Sequence, residues 1–246
     1  MEEKDGKIIF EPHEGLEFSY LQTKNFMFFF EKINHLKKEL EKLQNQKTKE
    51  ESYTYQRAVF SIEIICSVIH FTEVFTARLL GMKNQNLYDY LVNYRPLEVK
   101  QFYENIETLS EEDIAHLIQL PYPFEGFELE SDQLACKKAV KITRKTLTKI
   151  SKFFLKHYLL YNAYKHGFRI IILNDNKNSD NFLVIYYDEL GKMSEENLIQ
   201  IEEGVEDIWD HFLFMSKSLN GIEENYKNRV FLKKDGFTII DSGLES

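Results

Sequence analysis

The 246-residue sequence contains little cysteine, glycine or proline: two Cys, ten Gly and four Pro. Two cysteines are too few for a disulfide-rich scaffold or for a zinc site built from cysteines. Because Cys66 and Cys136 both lie in apolar segments, we expect them to be buried free thiols of a reducing compartment. The shortage of Gly and Pro favours long helices over an architecture of many short strands and turns.

Several catalytic and cofactor-binding motifs are also absent from the sequence. It has no Gly-rich phosphate loop, no dinucleotide-binding fingerprint and no Gly-x-Ser-x-Gly nucleophile elbow. His70 and Glu73 have the i, i+3 spacing of helical di-iron sites, but such a site needs a second copy and two further carboxylates. The segments around His35 and His211 do not supply them. We therefore predict no metal and no organic cofactor.

We expect neither a secretion signal nor a membrane span. The first residues, MEEKDGKIIF, are charged and lack an apolar signal core. The longest apolar stretch, Val59–Leu80, is interrupted by Glu63, His70, Glu73 and Arg78. These features indicate a soluble, cytoplasmic protein that has no membrane partner.

Acidic residues are absent between Asp132 and Asp175, although the whole chain has a net charge of −9. Ten Lys and Arg residues lie in that interval, so the rest of the chain is strongly acidic. Such a basic face on an acidic body points to a polyanionic partner, RNA or a nucleotide, and it is equally typical of a solvated helix face with acidic neighbours. The candidate nucleic-acid-binding residues are Lys141, Lys145, Lys149, Lys152, Lys156 and Lys165.

The apolar periodicity predicts a mainly α fold, an up-and-down helical bundle over about residues 21–167. One helix is expected at about residues 21–46. A second helix, at about residues 52–80, is apolar nearly all round, which is typical of a buried central helix. Gly81 is expected to end this second helix as a C-terminal stop.

The next part of the bundle is predicted to contain shorter helices and then the longest helix. Ser110 is expected to cap one of the short helices, with Asp113 as the partner in a capping box. The longest helix is predicted at about residues 132–166, capped by Ser131 or Asp132. Its expected core seam follows alternating spacings of three and four: Cys136, Val140, Thr143, Leu147, Ile150, Phe154, His157 and Tyr161.

After Gly167 the pattern changes from helical to β. The runs FRIIIL and FLVIYY predict a small β-hairpin appended to the bundle. Ser194 is expected to cap a further helix that extends to about Tyr226, and RVFL and FTIID suggest a second hairpin. A short strand is expected at KIIFEP near the start of the chain. We interpret residues 1–246 as a single domain, with the hairpin and a C-terminal helical extension at about 168–246.

Asn162 and His166 form the candidate site at the end of the longest helix. They lie one helical turn and about 40° apart, so they share a face. An imidazole can give or take a proton near neutral pH, and an Asn can orient a phosphate, a ribose hydroxyl or the imidazole itself. The alternative is a purely structural role, in which both residues only cap helix carbonyls and nearby loops.

A long basic-faced helix that ends in Asn-x-x-x-His, inside a mainly helical domain, resembles the HEPN superfamily of helical-bundle proteins. The motif of that superfamily is an arginine, often a polar residue such as Asn, and a His several residues later near the end of the last bundle helix. Asn162 and His166 match the polar and His positions, whereas Tyr161 stands at the arginine position. The resemblance covers about residues 21–167, and the run YNAYKHGFR is similar to the helix end of bacterial HEPN-like proteins.

The resemblance implies a metal-independent endoribonuclease of a toxin–antitoxin or phage-defence system, which acts as a homodimer with two motifs facing one cleft. It assigns proton transfer to His166 and positioning to Asn162. Arg169 or Lys165 would be the phosphate partner, because Tyr161 supplies no charge where the phosphate transition state needs a cation. Other members of the superfamily are inactive or bind nucleotides.

Two alternatives to catalysis fit the same sequence. One is a non-catalytic module of the same fold that binds RNA or a nucleotide through its basic helix. The other is a helical dimer or complex subunit, in which the basic stripe contacts acidic segments of a partner chain, such as SEED or EEGVED.

Overall fold

A computed structural model places eight stretches of the chain. It describes residues 2–4, 7–9, 26–45, 51–93, 95–167, 169–174, 182–187 and 190–230. The described part is mainly helical, which confirms the predicted fold class at that level. Its seven α-helices are α1 (Phe26–Gln44), α2 (Glu51–Lys83), α3 (Leu87–Asn93), α4 (Pro96–Glu104), α5 (Glu111–Leu117), α6 (Glu130–Lys165) and α7 (Leu198–Val230).

The described strands form two small antiparallel sheets. Strands β1 (Glu2–Lys4) and β2 (Lys7–Ile9) pair with each other, and β2 falls at the strand predicted in KIIFEP. The second sheet has the order β3–β4–β5, with β3 at Ile170–Asn174, β4 at Phe182–Tyr187 and β5 at Met193–Asn197. The pairing of β3 with β4 confirms the predicted hairpin.

The chain divides into two compact units. The first comprises Met1–Asn25, Glu73–Thr148 and Leu213–Ser246, and the second comprises Phe26–Thr72 and Lys149–Phe212. The three long helices α2, α6 and α7 therefore each contribute residues to both units.

In the first unit, α2 is held by polar contacts as well as by apolar packing. The hydroxyls of Thr76 and Tyr103 lie 2.6 Å apart and share a hydrogen bond in the core. Arg78 forms a buried ion pair with Glu223 of α7. Burial raises the pKa of Glu223, and the nearby Arg78 only partly offsets that effect. Such a pair is costly to break, because removing one partner leaves the other charge buried and uncompensated.

Gly81 does not end α2, so the predicted C-terminal stop is wrong. The helix continues to Lys83, and Gly81 is buried within it. A Cβ at position 81 would lie 3.0 Å from the Cα of Leu87 and 3.1 Å from the Cβ of Tyr90. The glycine therefore permits the close approach of α3, a packing role that the sequence pattern does not distinguish from a helix stop.

The long helix α6 has the bounds and the core seam that the sequence predicts, within two residues. It begins at Glu130, so Ser131 and Asp132 lie in its first turn rather than at its cap. All eight predicted seam residues, from Cys136 to Tyr161, are buried. Cys66 and Cys136 are buried free thiols, also as predicted.

The second unit contains a strand where a helix was predicted. Ser194 does not cap a helix; it lies in β5, opposite Tyr186 of β4. Helix α7 starts instead at Leu198, where the side-chain oxygen of Asn197 accepts a hydrogen bond from the Gln200 backbone N–H at 2.9 Å. This is an N-cap with a Gln three residues later, a signal that competes with Ser194 in the same segment.

The predicted second hairpin is wrong at its start. Arg229 and Val230, the first residues of RVFL that the structure describes, are the last residues of α7. The remainder of that predicted hairpin lies outside the described residues.

One helix has the length and composition of a membrane span. This is the part of α2 from Tyr55 to Lys83, with a mean hydropathy of 1.7 in its most apolar window. Within that window, 72 % of the residues are buried inside the protein. Burial at this level is what a core helix requires, since its apolar side chains already have protein neighbours.

Ser110 should contribute measurably to stability through the cap of α5. Its hydroxyl accepts from the Asp113 backbone N–H at 3.0 Å, and the Asp113 side chain accepts from the Ser110 backbone N–H at 3.1 Å. We expect Ser110→Ala to lower the free energy of unfolding by about 1 kcal/mol. Urea unfolding followed by circular dichroism measures the change. Ser131→Ala is the matched control and should change it by less than about 0.5 kcal/mol, because Ser131 is exposed and does not cap.

Asp113 should make the stability depend on pH in the acid range. A hydrogen bond from Lys83 at 2.8 Å, and further ones from Ser110, hold the pKa of Asp113 well below its ordinary value. The carboxylate therefore stabilises the fold above about pH 4, and this contribution is lost as pH falls through the lower native pKa. The difference in unfolding free energy between the wild type and Asp113→Asn should be largest near pH 7 and shrink below about pH 4. A difference that stays constant across this range would contradict the assignment.

Candidate functional site

The predicted Asn162–His166 pair lies at the end of α6 as expected. The Asn162 carbonyl accepts from the His166 backbone N–H at 3.2 Å, which closes the last helical turn. Gly167 then adopts the left-handed conformation, with φ of 67°, and ends the helix. The Asn162 side chain is half-buried and that of His166 is exposed. The pair therefore lies at the surface of the second unit, where a solvent-borne ligand can reach the imidazole.

Tyr161, at the arginine position of the resemblance, is a core residue. Its side chain is 2 % exposed, and its ring centroid lies 6.3 Å from that of His70 on α2. The ammonium of Lys165 lies 4.2 Å from the Tyr161 ring centroid, in the geometry of a cation–π contact. Lys165 thus folds back one turn along α6 and places its charge beside position 161.

Arg169, the other candidate phosphate partner, lies just before β3. Its carbonyl accepts from the Tyr187 backbone N–H at 3.1 Å, so its backbone is attached to the sheet. Its guanidinium is half-buried, and Nη1 is buried without a hydrogen-bond partner among the described residues.

Two arginines of α2 that could have replaced the missing cation are already paired. Arg57 donates to Glu202 of α7 at 2.9 Å, within the second unit. Arg78 is paired with Glu223 within the first unit. Both guanidinium groups thus have carboxylate partners within their own units.

The end of α6 is attached to α2 through a tyrosine. The Tyr164 hydroxyl donates to Oε2 of Glu63 at 2.6 Å, and the Lys32 ammonium lies 3.8 Å from Oε1 of the same carboxylate. Burial, followed by the hydrogen bond to Glu63, raises the pKa of Tyr164. The contact fixes the helix end without using Asn162 or His166.

A cavity of about 270 Å³ lies on the preceding turns of α6, in the second unit. Residues of helices α6 and α7 line it, with three lysines at spacings of three and four along α6. Its lining residues are Lys149, Lys152, Phe153, Lys156, His157, Gly204 and Ile208. The structure therefore brings three of the predicted nucleic-acid-binding lysines together. Lys141 and Lys145 are exposed in the first unit, and Lys165 contacts Tyr161.

His157 lies fully buried in the cavity wall. Its Nδ1 is 3.3 Å from Oε2 of Glu196 on β5, close enough for an ion pair but outside hydrogen-bond geometry. Its Nε2 has no hydrogen-bond partner among the described residues. A Cβ at Gly204 of α7 would lie 3.2 Å from Nε2, so the glycine permits the close approach of α7 to the imidazole.

Glu196 connects His157 to the sheet. The hydroxyl of Tyr186 on β4 donates to Oε1 of Glu196 at 2.7 Å. Burial alone would raise the pKa of Glu196, but His157, Tyr186 and Lys156 together hold it below the ordinary value. Glu196 is therefore a carboxylate that faces one nitrogen of His157, and the His157 side chain is part of the cavity lining.

The sequence placed His157 in the α6 core seam, which is correct, but did not mark it as a functional residue. One signal was available: His157 is the only imidazole of that seam, and it directly follows Lys156. The residues that complete its surroundings, Glu196 and Gly204, lie 39 and 47 residues later, and no local pattern links them to α6.

Comparisons of the chain with protein-family models, with curated proteins and with solved structures find no match. Within the described ranges, no group of three or more His, Cys, Asp and Glu residues is placed to hold a metal ion.

We expect the side chain at position 161 to contribute strongly to the stability of the fold and the side chain at position 166 to contribute little. Tyr161→Ala removes a buried ring, and we expect it to lower the free energy of unfolding by about 3–5 kcal/mol. His166→Ala alters an exposed side chain and should cost less than about 1 kcal/mol. Urea unfolding of the two variants tests this contrast, and similar losses in both would contradict it.

Proposed function

We propose that the protein is a HEPN-like, non-catalytic module that binds RNA through the lysines of α6. The observation that carries the proposal is the state of these lysines. Lys141 and Lys145 in the first unit, and Lys149, Lys152 and Lys156 in the second, are all exposed. None of the five has a salt bridge within the part of the chain that the structure describes. Lys137 of the same helix, by contrast, lies 3.2 Å from Glu125.

Unpaired lysines on one helix are suited to phosphate contacts. Each ammonium that meets a phosphate of single-stranded nucleic acid releases condensed counterions, which favours binding at low salt. The absence of acidic residues from 133 to 174 removes local competitors for these charges. The resemblance to HEPN proteins at the α6 end supports RNA over other polyanions.

Binding is favoured over cleavage by the state of position 161. The buried Tyr161 supplies no charge there, and a missing stabilising donor typically costs a phosphate or oxyanion transition state about 2.7–4 kcal/mol. One contact favours a second candidate function, a ribonuclease: the ammonium of Lys165, the residue before His166, lies over the Tyr161 ring. The binding experiment below also detects that activity.

RNA binding should weaken steeply with salt, and the weakening should depend on α6. We expect a fluorescein-labelled 12-nucleotide single-stranded RNA to bind with a negative slope of log K against log salt, measured by anisotropy between about 20 and 200 mM KCl. Replacing Lys141 and Lys145 with Ala should reduce the magnitude of that slope by roughly 1.4, about 0.7 for each phosphate contact. The control is Lys100→Ala with Lys137→Ala, which removes the same charge from two lysines that have carboxylate partners.

Equal effects of the two double variants, or no RNA binding at low salt, would contradict the proposal. The same samples are run in chelator on a denaturing gel. RNA cleavage that His166→Ala abolishes would establish the ribonuclease instead. A change in the light-scattering mass of the Lys141/Lys145 variant without a change in RNA binding would identify these lysines as an assembly surface.

A further inference from the structure

We propose that the His157 cavity binds a terminal phosphate monoester, the phosphate at an RNA end or on a mononucleotide. The inference rests on the proposed function for the class of ligand. It adds a site within the second unit that distinguishes a terminal phosphate from the phosphodiesters of the chain.

Among the described residues, one ring nitrogen of His157 lacks a hydrogen-bond partner, which a ligand can supply. The side chain is 0 % exposed, and Nε2 has no hydrogen-bond partner in the described part of the protein. A buried polar group left without a partner costs roughly 1–3 kcal/mol. A ligand that supplies the missing hydrogen bond from the cavity recovers this free energy on binding.

The lining of the cavity is positively charged. Lys149, Lys152 and Lys156 line it, and none of its lining residues is acidic. Glu196 is not among the lining residues; it contacts Nδ1 of His157 instead. An anion in the cavity therefore lies among three lysines and a histidine, with no acidic residue in the lining, which is an environment that favours a phosphate.

The carboxylate of Glu196 lies beside Nδ1 of His157. A carboxylate facing one ring nitrogen orients an imidazole and favours the proton on that nitrogen, so that Nε2 can accept a proton from the ligand. A phosphate monoester has a second pKa near 6, so it can present either P–OH or O⁻ to this nitrogen. Neutral His157 accepts from P–OH, and protonated His157 donates to O⁻. A phosphodiester has no P–OH and can use only the second arrangement.

The size of the cavity also favours a small occupant. A volume of about 270 Å³ lies just below the range of about 300–1,000 Å³ that is usual for drug-sized ligands. Phe153 and Ile208 provide apolar walls beside the lysines, and Gly204 adds a wall without a side chain next to His157. These features suit a phosphate with its attached ribose.

The first experiment compares three RNAs of one sequence, with a 5′-phosphate, a 3′-phosphate or hydroxyls at both ends. We expect one of the phosphorylated forms to bind at least about 5-fold more tightly than the hydroxyl form. His157→Gln and Gly204→Ala should abolish that preference, the latter because its Cβ would lie 3.2 Å from Nε2 and displace the imidazole. Lys145→Ala, outside the cavity, should weaken all three RNAs alike and keep the preference.

A second measurement identifies the source of the phosphate and does not depend on the variants folding. Adenosine, adenosine 5′-monophosphate and inorganic phosphate are titrated into the wild type while the imidazole nitrogens are followed by long-range ¹H–¹⁵N NMR. We expect the monophosphate to shift the His157 resonances and adenosine to leave them unchanged. If inorganic phosphate shifts these resonances with the same affinity as the monophosphate, the cavity recognises the phosphate group alone.

The two proposals fail in different ways. Equal affinity for all three RNAs, with salt-dependent binding retained, overturns the end-phosphate site and leaves the proposed function standing. No RNA binding, together with a His157 response to the monophosphate, overturns the proposed function and retains the cavity as a nucleotide site. Unchanged His157 resonances in all three titrations, together with no preference among the RNAs, overturn the cavity proposal.

Discussion

The enclosure of α2 is the constraint on which the rest of the fold depends. A 33-residue helix that is apolar nearly all round has no polar face to expose to water, so neighbours must cover most of its surface. In the second unit, Phe71 packs against Phe29 and Phe212, at ring centroid distances of 6.1 and 5.1 Å. In the first unit, the covering includes Tyr103 and the short helices after Gly81. Each unit thus encloses its own length of α2.

Covering a helix so completely forces polar groups into the interior together with the apolar ones. The α2 residues Thr76 and Arg78 are buried, and each contacts a specific partner, Tyr103 and Glu223 respectively. Near its start, Arg57 is matched by Glu202 of α7. These pairs fix which helix lies beside which part of α2, because a different neighbour would leave a buried charge without its counterion.

The sequence predicted most of the helices because their signal is periodic and local. The α6 seam is an example: eight positions spaced by three and four are all buried. The failures occur where a local signal has two meanings. Gly81 has the pattern of a helix stop, but in the structure it permits close packing. Ser194 has the pattern of a helix cap, but Asn197 caps the helix. Strand β5, MSEEN, has no β-branched residue, so its pairing with β4 is visible only in three dimensions.

The two candidate sites also differ in whether a local sequence pattern reveals them. Asn162 and His166 could be found from the sequence because they lie within one turn of one helix. The His157 cavity could not, because its other walls come from α7 and its orienting carboxylate from β5. An imidazole in an apolar seam is ordinary in a core, and only the neighbouring lysines and the unused Nε2 distinguish this one.

The uncompensated lysines of α6 have a consequence for the helix itself. Lys141 and Lys145, and Lys152 and Lys156, are each four residues apart, where like charges repel and destabilise a helix by about 0.2–0.5 kcal/mol per pair. Dissolved salt screens this self-repulsion. Added salt therefore acts in two opposite directions on α6: it strengthens the helix as a folded element while it weakens the attraction of that helix for any polyanion.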